Sequence, residues 1–316
     1  MDRSIATIKP RSAFGGPIRG DTLFGQLCWA ARHRWGEDRL SELLQGYTEG
    51  QPYLVVSDAF PAGYLPRPAL PMHRFDEVPD ADRKAVKKRR WLPRKHFAEP
   101  LRQWLNHAEP DSAISSDELM AAHIQPHNTI NRMTGTTGTG EFAPYTMAQH
   151  WFAPSLELDI YLAYDAERLS ENDIRQLLED VGHAGYGRDA SIGLGKFEVA
   201  GMSSEDWPAQ DNANAMMTLA PCAPQGLGFD AAKSWYQPFT RFGRHGDVAV
   251  HTGRLFKNPV LMADTGALLA RQDGTVDTFC GQGLGGSGQL SKAPKYESTV
   301  HQGYAPALWV QLEEIS

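Results

Sequence analysis

The sequence of 316 residues has few cysteines, no excess of positive charge and no long hydrophobic run. Its three cysteines, Cys28, Cys222 and Cys280, are widely separated, which argues against a disulfide framework and against a CxxC metal motif. No apolar stretch approaches the roughly 18 residues of a membrane helix, and the opening residues lack the apolar core of a secretion signal. We therefore expect a cytoplasmic globular protein without a membrane partner.

The charge balance argues against a protein that coats nucleic acid nonspecifically. The formal net charge is -7, with 31 Lys and Arg against 38 Asp and Glu, whereas nonspecific binding depends on a broad cationic surface. Basic residues are concentrated in residues 81–95 and, more weakly, between Arg241 and Lys257. Such runs are more often solvated helix faces than binding sites. Any binding of nucleic acid should therefore be local.

Length and composition predict about two domains. With 41% hydrophobic residues, the chain can bury a sizeable core. Residues 203–214 are polar and contain Pro208, as is typical of a domain boundary. We place the boundary after residue 205, which gives domains of residues 1–205 and 206–316.

Hydrophobic patterns predict both strands and helices. A helix should start at Asp21, whose carboxylate would cap its first turn. A second helix should follow Ser170, an N-cap with Asp173 near the capping-box position, and Gly182 would end it. Strands are predicted at 5–8, 52–61 and 156–162, and in the second domain near 215–219, 259–263 and 305–312.

The most informative segment is the glycine-rich loop GYGRDASIGLGKFEV, residues 185–199. Its glycines could present bare backbone amides to phosphates. It contains the pattern GxGxxA, but the dinucleotide fingerprint follows a strand and opens a helix, whereas this loop does the reverse. Phe197 replaces the Ser or Thr of a P-loop. Two interpretations stay open, a plain turn between elements and a contact with an RNA backbone.

Residues 129–152 are predicted to form a long hairpin, because they lack a helical period and are rich in Thr, Gly and aromatic residues. Phe142, Tyr145 and Trp151 could stack on bases or support the hairpin, and they could equally belong to the core.

The combination of motifs resembles the RAMP proteins of CRISPR systems, and within them the group of the fourth Csm subunit of type III-A complexes. The resemblance covers nearly the whole chain. In the first domain it depends on RGDTLFGQLCWAAR (19–32), SDAFPAGYLPRP (57–68), HNTINRMTGTTG (127–138) and GYGRDASIGLGKF (185–197). In the second domain it depends on TRFGRHG (240–246), FKNPVLMADTGALL (256–269) and VHQGYAP (300–306). The shared order of these segments makes the combination specific.

The resemblance implies an α+β fold with two ferredoxin-like, RRM-related domains and an extended β-hairpin thumb at about 127–152. It implies a noncatalytic subunit that binds the 5′ handle of CRISPR RNA (crRNA) and contacts the Cas10 large subunit and a neighbouring backbone RAMP subunit. The handle-binding loop would comprise Gly185, Gly187, Arg188, Ser191, Gly193, Gly195 and Lys196. The base of the thumb would comprise His127, Asn131 and Arg132, and further RNA contacts are expected from Arg19, Arg241 and Arg244.

Two enzymatic alternatives compete with this expectation. An endoribonuclease that processes repeat RNA would need a histidine as general base, but no local motif distinguishes any of the 11 histidines. A backbone subunit that slices target RNA would use an acidic residue such as Asp21 with a metal, but that loop has no second carboxylate in a DxD arrangement. His123 and His127 are separated by four positions, but Pro126 prevents a zinc-binding helix there. We therefore expect no catalytic residue, cofactor or metal.

Overall fold

The computed structural model describes residues 1–78, 83–187, 189–204, 206–246, 256–288, 290 and 297–313. The first lobe, up to residue 204, contains β1 (Asp2–Pro10), α1 (Gly20–Trp35), α2 (Glu37–Leu43), β2 (Leu54–Pro61), β3 (Tyr64–Pro66), α3 (Arg83–Lys88), β4 (Trp91–Pro93), α4 (Trp104–His107), α5 (Asp111–Ile114), β5 (Met120–His127), β6 (Tyr145–Phe152), β7 (Leu158–Tyr164), α6 (Glu171–Ala184) and β8 (Phe197–Ser203). The second lobe, from residue 206, contains β9 (Ala215–Thr218), β10 (Pro238–Arg241), β11 (Val260–Ala263), β12 (Leu268–Leu269), β13 (Phe279–Gly285) and β14 (Val300–Val310). None of the described helices is both long enough and apolar enough to cross a membrane.

The first lobe is built on a four-stranded antiparallel sheet in the order β2-β7-β1-β8. Helix α1 connects β1 to β2, and α6 connects β7 to β8. This β-α-β-β-α-β arrangement is the ferredoxin-like topology that the resemblance implied. Every residue of β7 is buried, because this strand lies inside the sheet.

Helix α6 confirms the predicted capping box. Ser170 Oγ accepts a hydrogen bond from the amide of Asp173 at 3.2 Å, and the Asp173 carboxylate accepts one from the amide of Ser170 at 3.1 Å. Its predicted end at Gly182 is wrong, since the helix continues to Ala184 and Gly185 is the C-cap with a φ of +106°. Gly182 lies inside the helix. A glycine is needed there because a Cβ would overlap the carbonyl of Phe197 in β8.

A large insertion separates β2 from β7 and contains the hairpin. Strands β5 and β6 pair from Met120 with Phe152 to His127 with Tyr145. The hairpin is therefore longer than the predicted range of 127–152, because its first strand starts at Met120. The rest of the insertion contains the pair β3-β4 and three short helices, α3 to α5.

The second lobe also has a four-stranded antiparallel sheet, in the order β12-β9-β14-β13, with the separate pair β10-β11 beside it. The predicted fold class, α+β with two ferredoxin-like (RRM-related) domains, glycine-rich loops and an extended β-hairpin, is confirmed. The strand order differs from that of the first sheet, and between residues 206 and 313 the described segments contain no helix. Strands β9 and β14 are entirely or almost entirely buried, because the first lobe covers this sheet.

One hydrophobic core crosses both lobes. Leu219, Leu268 and Leu308 belong to the same buried cluster as the core of the first lobe. The side chain of Gln302 exchanges two hydrogen bonds with the backbone of Val56, at 2.9 and 2.8 Å. A boundary after residue 205 thus separates the two sheets but does not divide the core.

The capping box generates a prediction about stability. Ser170→Ala should lower the free energy of unfolding by about 1 kcal/mol, because the amide of Asp173 loses its acceptor at the start of α6. Urea denaturation followed by circular dichroism measures this change. Ser116→Ala, at an exposed bend, is the control and should leave the midpoint unchanged; an equal effect of both variants would contradict the role of the cap.

Candidate nucleic-acid interface

The loop between β1 and α1, residues 11–19, connects the glycine-rich loop to the hairpin. The amide of Gly195 donates to the carbonyl of Ala13 at 2.7 Å, and the amide of Arg11 donates to the carbonyl of Lys196 at 2.7 Å. On its other side, Phe14 exchanges two backbone hydrogen bonds with His150 of β6, each at 2.8 Å. Three segments that are far apart in the sequence therefore form one continuous surface.

The glycines of the glycine-rich loop fall into two groups. Gly185 and Gly195 have φ angles of +106° and +78°, and a Cβ on either would overlap a backbone carbonyl of the same loop. Gly187 and Gly193 also have positive φ, at +92° and +93°, but each faces open space. The first pair keeps the loop closed, whereas the second pair leaves room for a ligand backbone to approach closely.

The prediction that this loop presents bare amides is wrong for most of the amides that the structure describes. The following amides donate to acceptors within the protein at distances of 2.7 to 3.3 Å: Gly185, Tyr186, Ile192, Gly193, Leu194, Gly195 and Lys196. The exposed groups of the loop include the side chains of Ser191 and Lys196. Arg188, predicted as a contact, lies outside the described residues.

The predicted thumb residues lie at the far end of the hairpin and not at its base. His127 pairs with Tyr145 at the end of the ladder, and their rings stack at 5.2 Å. Asn131 builds the turn beyond it, since its side chain accepts a hydrogen bond from the amide of Met133 at 2.9 Å. Arg132 in this turn is exposed. From His150 to Tyr145 the strand spans about 17 Å, so the tip and the glycine-rich loop are separate contact points.

The hairpin carries exposed apolar and aromatic side chains. The exposed members are Ile124, Ile130, Met133, Tyr145 and Trp151. Met133 is 94% exposed, and Tyr145 and Trp151 are each 48% exposed. Tyr145 and Trp151 are therefore not core residues, and their side chains are accessible from solvent. By contrast, Phe152 packs edge-to-face on Phe14 at 5.1 Å and joins the core.

The structure gives Arg19 a role between the lobes. Its Nη1 lies 3.0 Å from Asp58 of the first lobe and 2.9 Å from Asp264 of the second. Burial disfavours the charge of Arg19, but the two carboxylates outweigh burial and raise its pKa. Burial also raises the pKa of Asp58 to about 6, although Arg19 and the hydroxyl of Thr265 oppose this shift. These are contacts within the protein, and the predicted contact of Arg19 with RNA stays a prediction.

Arg241 forms a second ion pair between the two lobes. Its guanidinium binds the carboxylate of Asp21 through two hydrogen bonds, at 2.6 and 3.0 Å, and also contacts Thr22. His301 Nε2 lies 3.2 Å from the same carboxylate. Burial disfavours the charged form of Asp21, but these partners lower its pKa to about 2. The prediction that Asp21 caps α1 is wrong, because Arg19 is the N-cap residue and no side chain caps this helix.

Two further cations lie in the second lobe. The ammonium group of Lys257 donates to the carbonyl of Val300 at 3.0 Å, and burial lowers its pKa to about 8. Arg244 is exposed, and its guanidinium lies over the ring of Phe256 at 5.3 Å. Of the predicted arginines whose structure is described, Arg132 and Arg244 are exposed, whereas Arg19 and Arg241 hold the lobes together.

The first lobe defines a ferredoxin-like, RRM-related domain with a glycine-rich loop after its second crossing helix and a long hairpin inserted between β2 and β7. The chain belongs to the RAMP superfamily, whose family model matches residues 14–198. The matched range contains α1, the hairpin and the glycine-rich loop.

Comparison with solved structures extends the likeness over the whole chain. A chain in the crystal structure of the Csm1-Csm4 cassette in complex with pppApA has a TM-score of 0.60 and 19% identity, with 99% of each chain covered. A chain in the crystal structure of the Csm3-Csm4 subcomplex in the type III-A CRISPR-Cas interference complex has a TM-score of 0.57 and 13% identity, with 99% of this chain and 100% of that chain covered. No curated protein matches the sequence. At these identities the likeness shows a shared two-lobed fold.

The two groups of glycines predict different responses to substitution. Gly187→Ala and Gly195→Ala both place a side chain at positive φ, which costs roughly 1–2 kcal/mol. Gly195→Ala should cost more, because its Cβ would also overlap the carbonyl of Tyr186. Urea denaturation of the two variants measures the difference. Equal losses would show that Gly195 is needed only for its φ angle.

The ion pair between Asp21 and Arg241 predicts a pH-dependent effect of Asp21→Asn. At pH 7 the variant should be about 3–5 kcal/mol less stable, because it leaves the guanidinium without its buried counter-charge. The folded pKa of about 2 lies below the ordinary value of 3.8. Asp21 therefore stabilises the fold above pH 3.8, and this contribution is lost as the pH falls towards 2.

Urea unfolding at pH 7 and at pH 3 checks this prediction, and the difference between wild type and Asp21→Asn should be smaller at pH 3. The matched control is Asp206→Asn, since the side chain of Asp206 is 96% exposed. A difference that stays constant between the two pH values would contradict the ionised state of Asp21.

Proposed function

We propose that this protein is a noncatalytic crRNA-binding subunit of a type III-A CRISPR interference complex, where it holds the 5′ repeat-derived handle and contributes to antiviral defence. The observation that carries the proposal is the single surface formed by the glycine-rich loop, the β1–α1 loop and the hairpin, which extends from its base at His150 to the turn that contains Arg132. Single-stranded RNA is held by stacking of bases on planar side chains and by polar clamping of its backbone. This surface supplies both kinds of group.

On this surface the two kinds of contact are spatially separated. Lys196 and the open backbone at Gly187 and Gly193 would contact phosphates at one end. Tyr145 and Trp151 on the hairpin, both half exposed, would stack on bases or separate neighbouring bases. Because Tyr145 lies about 17 Å from His150 along the strand, the bound RNA would extend over several nucleotides.

The environment of Asp21 supports a noncatalytic role. Its side chain has no solvent exposure and is held by Arg241 and His301. A carboxylate that slices RNA must reach a metal ion and the substrate, whereas this one is enclosed between the lobes. In the described part of the chain, Asp21 and Asp58 belong to no group of residues with metal-ligand spacing.

The proposed protein partners are the Cas10 large subunit and a neighbouring backbone RAMP subunit. The proposal is supported by the fold shared with chains from a Csm1-Csm4 cassette and a Csm3-Csm4 subcomplex. Exposed apolar side chains of the second lobe, Tyr236, Phe242, Phe256 and Leu261, are available for such contacts. A protein with net charge -7 can bind RNA locally while most of its surface contacts other subunits.

Binding to a crRNA with its 5′ handle, compared with the same guide without the handle and with Cas10 present, tests the function. We expect tighter binding of the handle-bearing RNA and no cleavage, in EDTA or in Mg²⁺. Arg132→Ala combined with Lys196→Ala should weaken binding about tenfold and reduce the slope of log affinity against log salt by about 0.7 for each lost phosphate contact. Fluorescence anisotropy across a salt series measures both quantities.

The control is Lys87→Ala combined with Lys88→Ala, on the exposed face of α3 in the other basic segment. If this control weakens binding as much as the test variant, the assigned surface is not the RNA site. Cleavage in EDTA would instead indicate a processing endoribonuclease, and Mg²⁺-dependent cleavage lost in Asp21→Asn would indicate a target-slicing backbone subunit. Failure of the folded protein to co-purify with Cas10 would count against the proposed position in the complex.

A further inference from the structure

A cluster of two histidines and one glutamate lies in the insertion of the first lobe, apart from the proposed RNA surface. His96 Nδ1 lies 2.6 Å from one carboxylate oxygen of Glu99, and His107 Nε2 lies 2.6 Å from the other. The two imidazole rings stack at 4.1 Å. The sequence pattern, HxxE followed by seven residues and a histidine, matches no familiar metal motif, and so no short sequence window predicts the cluster.

The three donor atoms are spaced as metal ligands are. They all lie within 4.8 Å of one another. Zn²⁺ binds imidazole nitrogen and carboxylate oxygen at about 2.0–2.2 Å, which places the ligand atoms of a tetrahedral ion roughly 3.3 Å apart. Because the two imidazole rings are stacked nearly parallel, they would have to turn so that a nitrogen lone pair of each points at one ion. This rotation, together with closer approach of the donor atoms, would convert the two hydrogen bonds into such a set. Two imidazoles and one carboxylate are also the donors of known zinc sites with a water as the fourth ligand.

The exposure of the cluster suits a bound ion. The side chains of His96, Glu99 and His107 are 25%, 35% and 33% exposed. They are sufficiently enclosed to be held in place, yet open on one side to a water molecule and to the entry of the ion. A fully exposed set would lack this restraint, because each side chain would then lose more rotamer freedom on binding.

The backbone around the cluster is already held in position. The carbonyl of Glu99 accepts hydrogen bonds from Trp104 Nε1 at 2.9 Å and from Gln210 Nε2 at 2.5 Å. Gln210 also donates to the carbonyl of Phe97 at 3.0 Å and accepts from the amide of Gln311, in the last segment of the chain, at 2.7 Å. Residues 96–107 thus form a short irregular segment that contacts the second lobe.

We propose that His96, Glu99 and His107 bind one Zn²⁺ ion, with water as the fourth ligand, and that the ion has a structural role. It clamps residues 96–107, where two 3-10 turns and the four-residue helix α4 supply little regular hydrogen bonding. By fixing this segment, the ion holds Gln210 and the end of the second lobe against the first. The proposal does not depend on RNA binding.

Metal titration of the full-length protein tests the site. After removal of metal with EDTA and dialysis, the protein should take up one equivalent of Zn²⁺ by calorimetry and unfold at a higher temperature. Co²⁺ in the same site should show the strong visible absorption of a tetrahedral ion, without a thiolate charge-transfer band. His96→Ala and Glu99→Gln should each weaken Zn²⁺ binding more than about tenfold. Loss of a residue that only hydrogen-bonds to a metal ligand already weakens metal binding by about tenfold or more, and loss of a ligand should weaken it further.

The control is His123→Ala, which removes an exposed histidine of the hairpin and should bind Zn²⁺ as the wild type does. The Co²⁺ spectrum of the wild-type protein needs no variant, so the test stands even if a substitution prevents folding. A spectrum no stronger than that of aqueous Co²⁺, a thiolate band from Cys222 or Cys280, or unchanged affinity in Glu99→Gln would overturn the proposal.

Discussion

The arrangement of the whole molecule depends on two buried carboxylates, Asp21 and Asp58, and their partly buried partners where the two lobes meet at the start of α1. Asp21 faces Arg241, and Asp58 and Asp264 share Arg19. Charges taken out of water are tolerated only when they are paired, and losing one partner leaves the other uncompensated. The start of α1 also lies close to β2, since a Cβ on Gly20 would overlap the backbone of Val56 and Ser57. These contacts fix both the helix and the second lobe.

The same constraint positions the proposed RNA surface. The β1–α1 loop ends at Arg19, whose amide donates to the hydroxyl of Tyr186 at 2.9 Å, in the glycine-rich loop. The loop also carries Phe14, which binds the base of the hairpin through backbone hydrogen bonds. The contacts of Arg19 between the lobes and the base of the hairpin are therefore connected through a single loop. Beyond His150 the hairpin extends away from the core.

The arginines illustrate how an acidic protein can carry a local RNA surface. Each of the four arginines Arg19, Arg132, Arg241 and Arg244 lies within three residues of a glycine in the sequence. Arg19 and Arg241 neutralise buried carboxylates, whereas the other two are exposed. A nearby glycine in the sequence does not tell an arginine that pairs with a carboxylate from one that is exposed. The difference depends on whether a distant element places a carboxylate beside the guanidinium.

The sequence by itself determined the class of fold, the existence and type of most elements, and the family. Hydrophobic period and capping chemistry are local properties, and so the α6 capping box at Ser170 and three of the four strands of the first sheet, β1, β2 and β7, were predictable from short windows. Only the tertiary structure decided the partners of Asp21, the closed amides of the glycine-rich loop, and the convergence of His96, Glu99 and His107. Each of these depends on contacts between segments that are distant in the chain or on the path of irregular backbone, which no short sequence window specifies.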